Sequence, residues 1–508
     1  MNTVLLPSDP FDATQAWLTA RDRAQLVETI GQAISRAHDA HRAIVASYSR
    51  AIPSRDLISF FTATPHADAF YWEQPSRDLA CVGLGATHRI TANGPDCMIG
   101  ATEMWRTLLR DAVCVDDDTN PENADAEKTP LSGPICFGGF AFDPLGQHTP
   151  LWADFPDGLL SLPQALMSRQ HDAARLTLNA LVNADDLPED VAERLIANVM
   201  RLRVAVERLE QDGYPRPFAE AGDAVILTEH CSRAEWMRLV SEATVAIRRG
   251  NYHKIVLARG VQVERKSQTP GSFFTGEANV CATLQRLRQG DPKATVFAIR
   301  RSERIFIGAT PERLARVTSG RLQTMALAGT TARGKTSDDD ARLARELSQS
   351  AKNREEHAIV ASSIAEALRP LCQRLDVADT PQVIKMATVQ HLRTPITGVL
   401  ATGVSALDVV AALHPTPAVG GFPRQAALEA IRAHEGLDRG WYAGPVGWLG
   451  PEGDGEFVVA LRSALLAASH ATLFGGCGVM ADSDPAAEYA ESQIKLRVML
   501  RGLGVGEG

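Results

Sequence analysis

Segments of helical and of strand-like hydrophobic pattern follow one another along the first half of the chain. Leucines and isoleucines recur at helical spacing within 14–46 and again within 188–211, which predicts two amphipathic helices. The intervening apolar segments are short and rich in β-branched and aromatic residues. They predict strands at 56–61, 69–73, 79–84 and 135–142.

Two polar stretches interrupt this pattern. Residues 115–133 are acidic and rich in turn formers, which predicts an exposed loop. Residues 212–223 (DGYPRPFAEAGD) predict a linker, so the chain divides into an N-terminal part, 1–225, and a catalytic region, 226–508. We nevertheless expect the N-terminal part to contribute strands to the same fold rather than to form a free domain.

In the second half of the chain, the signals for the beginnings and ends of helices are clearer. Ser232 and Glu235 make a capping box that predicts a helix over 233–250. Ser337, followed by three aspartates, predicts a helix through to about 371, and a last helix is predicted at 485–503. Strands and helices do not alternate strictly, which favours an α+β fold over a doubly wound sheet. The predicted strands are 254–263, 295–300, 304–307, 314–317, 322–327, 383–392, 442–449 and 457–466.

Composition and charge narrow the functional class. Of 508 residues, 45% are hydrophobic and 22% are charged, which is typical of a folded globular protein. The net charge is −9 and no basic stripe stands out, so we expect neither a nucleic acid nor a membrane surface as partner. The eight cysteines include no CxxC pair, and the sequence shows neither a secretion signal nor a membrane-spanning run. We therefore expect a cytoplasmic enzyme.

Residues 329–336 read GTTARGKT and fit the phosphate-loop pattern G-x-x-x-x-G-K-[ST]. In that hypothesis Lys335 would reach the terminal phosphates and Thr336 would hold magnesium. The three aspartates at 338–340 oppose it, because their charge would face the phosphates in the first helical turn. The capping signal also falls at Ser337, after the motif. We favour a turn before a capped helix and keep nucleotide binding as a remote alternative.

Lys254 and Glu312 are the first candidates for acid–base chemistry. Lys254 begins an apolar strand (KIVLARG), where desolvation lowers the pKa of an amine and makes it a usable base. At a strand end it could equally extend its ammonium group into water. Glu312 lies in a Pro-initiated turn (GATPERL) and would act as a general acid with a raised pKa. The alternative is an exposed glutamate paired with Arg313.

Three further glutamates are candidates for a metal site. Glu356 lies four residues after Lys352, so an ordinary ion pair is enough to explain it. Glu488 and Glu491 share one face of the last helix, and Lys495 follows Glu491 at the same ion-pair spacing. If glutamates from the two helices converged on one point, their oxygens would suit Mg²⁺.

His391, Arg462 and the glycine run at 475–478 complete the set. His391 ends a predicted strand and is either a ligand contact or a structural hydrogen-bond partner. Arg462 is flanked by apolar residues and needs an anionic partner, which a substrate carboxylate would supply. The sequence GGCG gives either a close backbone approach to a ligand or a tight turn.

Taken together, ten segments in this order resemble the chorismate-utilising enzymes, and specifically the isochorismate synthases. The resemblance covers about 230–503, with weaker matches in FYWEQP at 70–75 and FGGFAFDP at 137–144. It implies a chorismate-binding fold of two packed, antiparallel-rich sheets flanked by helices. The matching segments are KIVLARG, GATPERL, ALAGTTARG, KNREEH, VQHLRTPI, HPTPAVGGFP, RGWYAGPVGW, GEFVVALRSA, FGGCGV and AEYAESQIKL.

The resemblance also implies a role for each candidate. Lys254 matches the base that activates water for attack at C2 of chorismate, and Glu312 matches the acid that protonates the departing C4 hydroxyl. The implied cofactor is Mg²⁺, held by Glu356, Glu491 and, one helical turn earlier, Glu488. His391 matches a catalytic histidine near the ring. The implied substrate contacts are Tyr442, Arg462 and Lys495 at the carboxylates, and Gly329, Thr330, Ala418, Gly476 and Gly478 along the pocket.

Lys254 also separates members of this family. The relatives that use ammonia lack a lysine there and usually need a glutamine amidotransferase, so we expect no amidotransferase subunit. Salicylate synthases keep the lysine and add pyruvate elimination, and they remain the main alternative. Two positions depart from the family pattern: Asn353, where relatives often carry an acid, and Cys477, where alanine is usual.

Overall fold

The computed structural model describes residues 17–64, 68–117, 130–212, 225–265, 273–385 and 389–505. Most of the predicted loop at 115–133 and nearly all of the predicted linker at 212–223 therefore lie outside the described residues. The described ranges form eleven α-helices, none of which is long and apolar enough to cross a membrane. These helices are α1 (Ala20–Ala40), α2 (Ile58–Thr62), α3 (Cys97–Leu109), α4 (Pro188–Asp212), α5 (Arg233–Arg248), α6 (Glu277–Gly290), α7 (Ser337–Gln349), α8 (Ala351–Leu368), α9 (Ala406–Leu413), α10 (Arg424–His434) and α11 (Pro485–Leu503).

The strands come from both halves of the chain. Those of the first half are β1 (Ile44–Ile52), β2 (Ala69–Gln74), β3 (Leu79–Leu84), β4 (His88–Ala92), β5 (Val113–Asp116), β6 (Cys136–Phe140), β7 (Gly158–Leu162), β8 (Ala165–Gln170) and β9 (Ala173–Val182). Those of the second half are β10 (Val225–Glu229), β11 (Lys254–Arg265), β12 (Thr295–Arg301), β13 (Arg304–Thr310), β14 (Arg313–Thr318), β15 (Arg321–Ala332), β16 (Cys372–Val377), β17 (Gln382–Lys385), β18 (Val389–Leu400), β19 (Gly421–Phe422), β20 (Pro445–Leu449), β21 (Gly455–Val459), β22 (Ser463–Leu466) and β23 (His470–Val479).

Two large sheets organise these strands. The first has the order β10-β11-β23-β22-β13-β12-β2-β3-β8-β9-β1-β5, with β19 paired to β11, and only the β1–β5 pair within it is parallel. The second has the order β16-β18-β15-β14-β21-β20-β6-β7-β4, with β17 paired to β18, and its pairs are antiparallel. The expected α+β fold with two antiparallel-rich sheets is thereby confirmed.

Each sheet is continuous across the two halves of the chain. In the first sheet the halves meet where β12 pairs with β2, and Phe297 lies opposite Trp72. In the second sheet they meet where β20 pairs with β6, and Trp448 lies opposite Phe137. The strands of each half are therefore contiguous within each sheet, and hydrogen-bonded strand edges join them.

The core has two parts, because the first sheet is covered on both faces. One cluster packs side chains of both sheets together, including Phe297 and Phe137. The other packs the first sheet against helices, including Ile30 of α1 and Met499 of α11. Burial on both faces explains why strands such as β12 read as continuous apolar runs rather than alternating ones.

Several helix predictions were right, whereas one predicted strand is a helix. The Ser232–Glu235 capping box is present, and α4 and α11 follow their predicted bounds closely. The segment 56–61, predicted as a strand, instead forms the short helix α2, whose first amide donates to the Asp56 carboxylate. A short apolar run such as ISFF suits either element, so its pattern does not distinguish them.

The long helix predicted from 337 to 371 is two helices. Ser350, with φ −63° and ψ 113°, ends α7 and caps α8, and its hydroxyl accepts from the Asn353 amide. The first cap is Thr336 rather than Ser337, because the Thr336 hydroxyl accepts the Asp339 amide. No glycine or proline marks this break in the sequence.

Strand predictions also change at specific points. The strand predicted at 383–392 is two strands, β17 and β18, with 386–388 outside the described residues. The 442–449 strand is shorter, as β20, and the 457–466 strand is divided into β21 and β22. The glycine run at 475–478 is not a turn but the middle of β23.

Candidate functional site

Lys254 and Glu356 form an ion pair between the first sheet and helix α8. Lys254 opens β11 in the first sheet, and Glu356 lies on α8, which packs against β15 of the second sheet. The Lys254 Nζ lies 3.4 Å from Glu356 Oε1, and the two side chains are only 15% and 20% exposed. This pair joins residues 102 positions apart. The local partner expected for Glu356, Lys352, has a side chain outside the described part of the structure.

Glycines in β23 make room for Lys254. Gly478 lies opposite Val256, and a Cβ there would lie 3.2 Å from the Lys254 Cε. Gly476 lies opposite Ala258, and a Cβ there would lie 2.4 Å from the Leu257 carbonyl oxygen. A side chain at either position would therefore crowd the Lys254 side chain or the neighbouring strand, which explains the glycines at these two positions in physical terms.

Lys495 projects from α11 onto the same glycine strand. Its Nζ donates to the Gly476 carbonyl oxygen at 2.9 Å and lies 2.8 Å from Glu491 Oε1. The ion pair expected from the spacing of Glu491 and Lys495 is present. The structure thus brings Lys495 to the predicted pocket glycine by a direct hydrogen bond.

Glu312 lies where the chain passes from the first sheet to the second, between β13 and β14. Its amide donates to Thr310 Oγ1 at 3.2 Å, and its carbonyl accepts the Val459 amide at 3.0 Å. Burial raises the pKa of Glu312 to about 7, although the positive charges of Lys254 and Lys495 act in the opposite direction. A carboxyl with this pKa is available as a proton donor near neutral pH.

The exposed alternative for Glu312 is wrong. Arg313 does not pair with it but lies 3.8 Å from Glu456, a fully buried carboxylate. Glu312 instead lines a small cleft that Ala418 also lines. The two residues predicted to share the pocket are thus brought together.

Glu488 lies in the first turn of α11, the helix that also carries Glu491 and Lys495. Burial raises the pKa of Glu488, and the charge of Glu491 acts in the same direction, whereas hydrogen bonds from Ser483 and Cys477 oppose the rise. Its Oε2 is buried and, among the described residues, finds no hydrogen-bond partner. A buried carboxylate oxygen without a partner is the kind of atom that a cation would satisfy.

The side chains of the three predicted metal ligands do not converge on one point in the structure. In the described ranges, no group of three or more His, Cys, Asp or Glu side chains is arranged to hold a metal ion. Glu356 and Glu491 are each paired with an ammonium group, of Lys254 and Lys495 respectively. The chemistry of the donor set, three carboxylates, and the unpartnered Glu488 oxygen nevertheless fit Mg²⁺.

His391 lies on β18 of the second sheet, where the charges of Lys495, Glu491 and Lys254 act on its ring. It lies near the start of β18 rather than at a strand end, and pairs in register with Thr330, whose side chain lies outside the described part. Burial, with the charge of Lys495, lowers the pKa of His391, so this environment favours the neutral ring. Gly329 sits at a bulge with φ +71°, where a Cβ would lie 3.3 Å from Asn353 and Leu392.

Two supporting groups escaped the sequence reasoning. His357, next to Glu356, is buried and hydrogen-bonds the Ala328 carbonyl oxygen at 3.3 Å, which fixes α8 on β15. Glu435 accepts the Ala258 amide at 2.7 Å and pairs with Arg439 four residues later. The only sequence signals were a histidine following a candidate ligand and a Glu–Arg pair at helical spacing.

Tyr442 and Arg462, both predicted to contact substrate carboxylates, have different surroundings. Tyr442 is buried and stacks on Phe474 at 5.1 Å between ring centroids, and burial raises its pKa above the usual range. Phe474 also stacks on Trp152, which lines a separate cavity of about 370 Å³. Burial lowers the pKa of Arg462, and among the described residues the acid that opposes this shift is Asp291. The structure therefore does not join Arg462 to the lysines and glutamates above.

The segment that resembles a phosphate loop has another role. Its first residues extend β15 rather than forming a loop. The Gly334 amide donates to Asp340 Oδ1 at 2.9 Å, and Arg333 and Lys385 pair with the same carboxylate. The positions that would receive a phosphate are thus occupied by the chain's own carboxylate.

Comparison with known proteins identifies the class. The sequence matches the family of chorismate binding enzymes over residues 32–504, and the protein belongs to that family. The resemblance inferred from the ten segments, and the expectation of an enzyme of this class, are thereby confirmed.

Within that family, several of the similar proteins are isochorismate synthases. The chain is 37% identical over 477 residues to the salicylate biosynthesis isochorismate synthase of Pseudomonas aeruginosa, covering 94% of this chain and 93% of the relative. It is 34% identical over 478 residues to isochorismate synthase MenF of Bacillus subtilis, covering 93% and 96%. The solved structure of MenF, the menaquinone-specific isochorismate synthase from Escherichia coli, has a TM-score of 0.72 at 27% identity, covering 94% of this chain and 100% of that one.

Proposed function

We propose that this protein is an isochorismate synthase that converts chorismate reversibly to isochorismate with Mg²⁺. The observation that carries the proposal is the pairing of two opposed proton-transfer groups in one site. Lys254 is a largely buried amine, and Glu312 is a carboxyl whose pKa burial raises to about 7, with the charge of Lys254 acting on it. Moving a hydroxyl group from C4 to C2 needs both a base for water and an acid for the leaving group.

In the forward direction Lys254 takes a proton from water as the water oxygen bonds to C2. The ring double bond shifts, the C4–O bond breaks, and Glu312 gives its proton to the departing oxygen, which leaves as water. In the reverse direction the two groups exchange roles. Glu312 must therefore hold its proton when the C4–O bond breaks.

The substrate carries two carboxylates, and cationic groups of the protein would bind them. Lys495 is held over the glycine strand by the Gly476 carbonyl oxygen and is positioned to meet a carboxylate. Glu356, Glu488 and Glu491 are the residues that would hold Mg²⁺, and the ion would supply positive charge for the ring carboxylate. We further propose that no amidotransferase subunit is needed, because the nucleophile is water.

The first test is product analysis with the purified full-length protein, chorismate and Mg²⁺. We expect an equilibrium mixture of chorismate and isochorismate without pyruvate. Lys254→Ala should abolish turnover while leaving chorismate binding largely intact, because it removes the base. The matched control is Lys335→Ala, which removes an exposed lysine of the 329–336 segment. Normal turnover in the Lys254 variant would refute the assignment of the base.

Salicylate synthase is kept as a second candidate on one specific observation. The relative from Pseudomonas aeruginosa is named for salicylate biosynthesis as well as for isochorismate synthesis. Both activities would begin with the same hydroxyl transfer at the same site. Release of salicylate and pyruvate from chorismate would favour this candidate, and the absence of pyruvate would exclude it.

A further inference from the structure

Arg259 is a fully buried cation on β11, the strand that begins with Lys254. Its side chain is 0% exposed. Its Nε donates to Ser492 Oγ at 2.9 Å, and its Nη1 donates to Glu229 Oε1 at 3.0 Å. The guanidinium carbon lies 4.5 Å from the centre of the Tyr489 ring. A planar cation stacked on an aromatic ring and bonded at its edges has little freedom to move.

The partners of Arg259 also contact one another. Glu229 Oε1 accepts from the Tyr489 hydroxyl at 2.7 Å and from Gln493 Nε2 at 3.1 Å. Gln493 Nε2 further contacts the Tyr489 hydroxyl at 2.9 Å. Glu229 belongs to β10, so the cluster fastens α11 to two adjacent strands of the first sheet.

The anchored residues alternate with the candidate site residues along α11. Tyr489, Ser492 and Gln493 contact Arg259 or Glu229, whereas Glu488, Glu491 and Lys495 belong to the candidate site. Successive residues of an α-helix are turned by about 100°. A helix held at three positions on one face cannot rotate about its axis, so the same contacts fix the direction of the neighbouring Glu488 and Glu491.

We propose that Arg259 is a positioning residue that sets the rotation of α11 and thereby the direction in which Glu488 and Glu491 offer their carboxylates to Mg²⁺. This inference rests on the proposed function, because it assigns the metal to those glutamates. Arg259 is too deeply buried against α11 and α5 to be a substrate contact, since it lies 6.0 Å from the Trp236 ring as well. Its effect is therefore on metal affinity rather than on proton transfer.

The test compares Arg259→Lys with Arg300→Lys. Lysine at 259 keeps a cation for Glu229 but loses the Ser492 bond and the flat stacking on Tyr489. Arg300 is a matched control: it is also buried, stacks on Phe61 at 4.6 Å, and donates to the Phe61 carbonyl oxygen, on the side of the first sheet near α2. Ser492→Ala is a milder second variant that leaves every charge in place.

Mg²⁺ binding is measured by calorimetry without chorismate, and backbone amide exchange is followed in α11. Loss of a group that orients metal ligands typically weakens metal affinity by about 10- to 100-fold. We expect Arg259→Lys to raise the Mg²⁺ dissociation constant about tenfold and to speed exchange in α11, with kcat at saturating Mg²⁺ and saturating chorismate within about twofold of wild type. Ser492→Ala should show a smaller change in the same direction, and Arg300→Lys none.

Wild-type Mg²⁺ affinity in folded Arg259→Lys and Ser492→Ala would overturn the inference. So would an equal loss of affinity in Arg300→Lys, because that would indicate general loosening of the fold. If the wild-type protein itself bound no Mg²⁺ or formed no isochorismate, the proposed function would fail and this inference with it. An active, metal-binding wild type with an unaffected Arg259 variant would overturn the inference alone.

Discussion

Replacing Glu312 with glutamine should make the protein more stable while making it a poorer enzyme. Burial raises the pKa of Glu312 from 4.5 to about 7. Between these two values the folded chain binds a proton that the unfolded chain releases, so the stability of the native state falls as the pH rises through this window. Above pH 7 the Glu312 carboxyl is ionised in the folded protein, and the unfavourable free energy of keeping that charge out of water lowers the stability of the native state. Glutamine keeps the shape of the side chain and carries no charge.

The size of the effect follows from the pKa difference. One pKa unit corresponds to about 1.4 kcal/mol, so the ionised carboxylate costs about 3 kcal/mol at pH 8. At pH 5 most of the native carboxyl is protonated, and the cost is about 1 kcal/mol. We therefore expect Glu312→Gln to stabilise the protein by about 2 kcal/mol more at pH 8 than at pH 5. Turnover should fall by about 10²- to 10⁴-fold, because the amide cannot donate the proton.

Urea unfolding at the two pH values, with a common slope for both variants, measures the stability difference. Glu452→Gln, at an exposed position, is the control and should show no such dependence on pH. Equal stabilisation at pH 5 and pH 8, or destabilisation at pH 8, would refute the argument that burial raises the pKa of Glu312. Retained turnover in Glu312→Gln would refute its role as the acid.

Two further predictions concern the metal and the glycine strand. Glu491→Ala should raise the Mg²⁺ concentration needed for half-maximal activity by more than about tenfold, since it removes a proposed ligand; an unchanged Mg²⁺ titration would exclude that role. Gly476→Ala should destabilise the protein by about 2 kcal/mol or more, because its Cβ would lie 2.4 Å from the Leu257 carbonyl oxygen. Gly290→Ala, where a Cβ meets nothing within 4 Å, is the control. Equal urea midpoints for the two glycine variants would contradict this reading of the strand.

The fold class was predictable from the sequence, whereas several element boundaries were not. The last helix and the Ser232 capping box have strong local signals, and both are present as predicted. The break at Ser350 has no such signal, because serine is tolerated inside helices and only the structure shows its extended backbone. The helix at Ile58–Thr62 was mistaken for a strand, since a short and mostly apolar run suits both elements.

The site was predictable in its residue types but not in its contacts. The local spacing predicted an ion pair of Glu356 with Lys352, one helical turn away. The partner that the structure shows is Lys254, 102 residues earlier. Ion pairs between distant segments leave no periodic trace in a single sequence. The pKa of Glu312 likewise depends on burial between two sheets, which no local pattern records. The family resemblance, and not spacing, is what singled these residues out.

The two strand pairs that join the halves of the chain, β2 with β12 and β6 with β20, have a consequence for synthesis in the cell. The side chain of Gln74 on β2 meets that of Thr295 on β12, 221 residues later, and Cys136 on β6 meets Leu449 on β20, 313 residues later. At about 5 to 20 residues per second, a ribosome needs roughly 10 to 60 s to supply the second partner. Throughout that interval the nascent chain carries two unpaired, apolar strand edges, which are templates for aggregation. Slow translation of the second half, or a truncated transcript, should therefore make this protein depend on chaperones that shield strand edges.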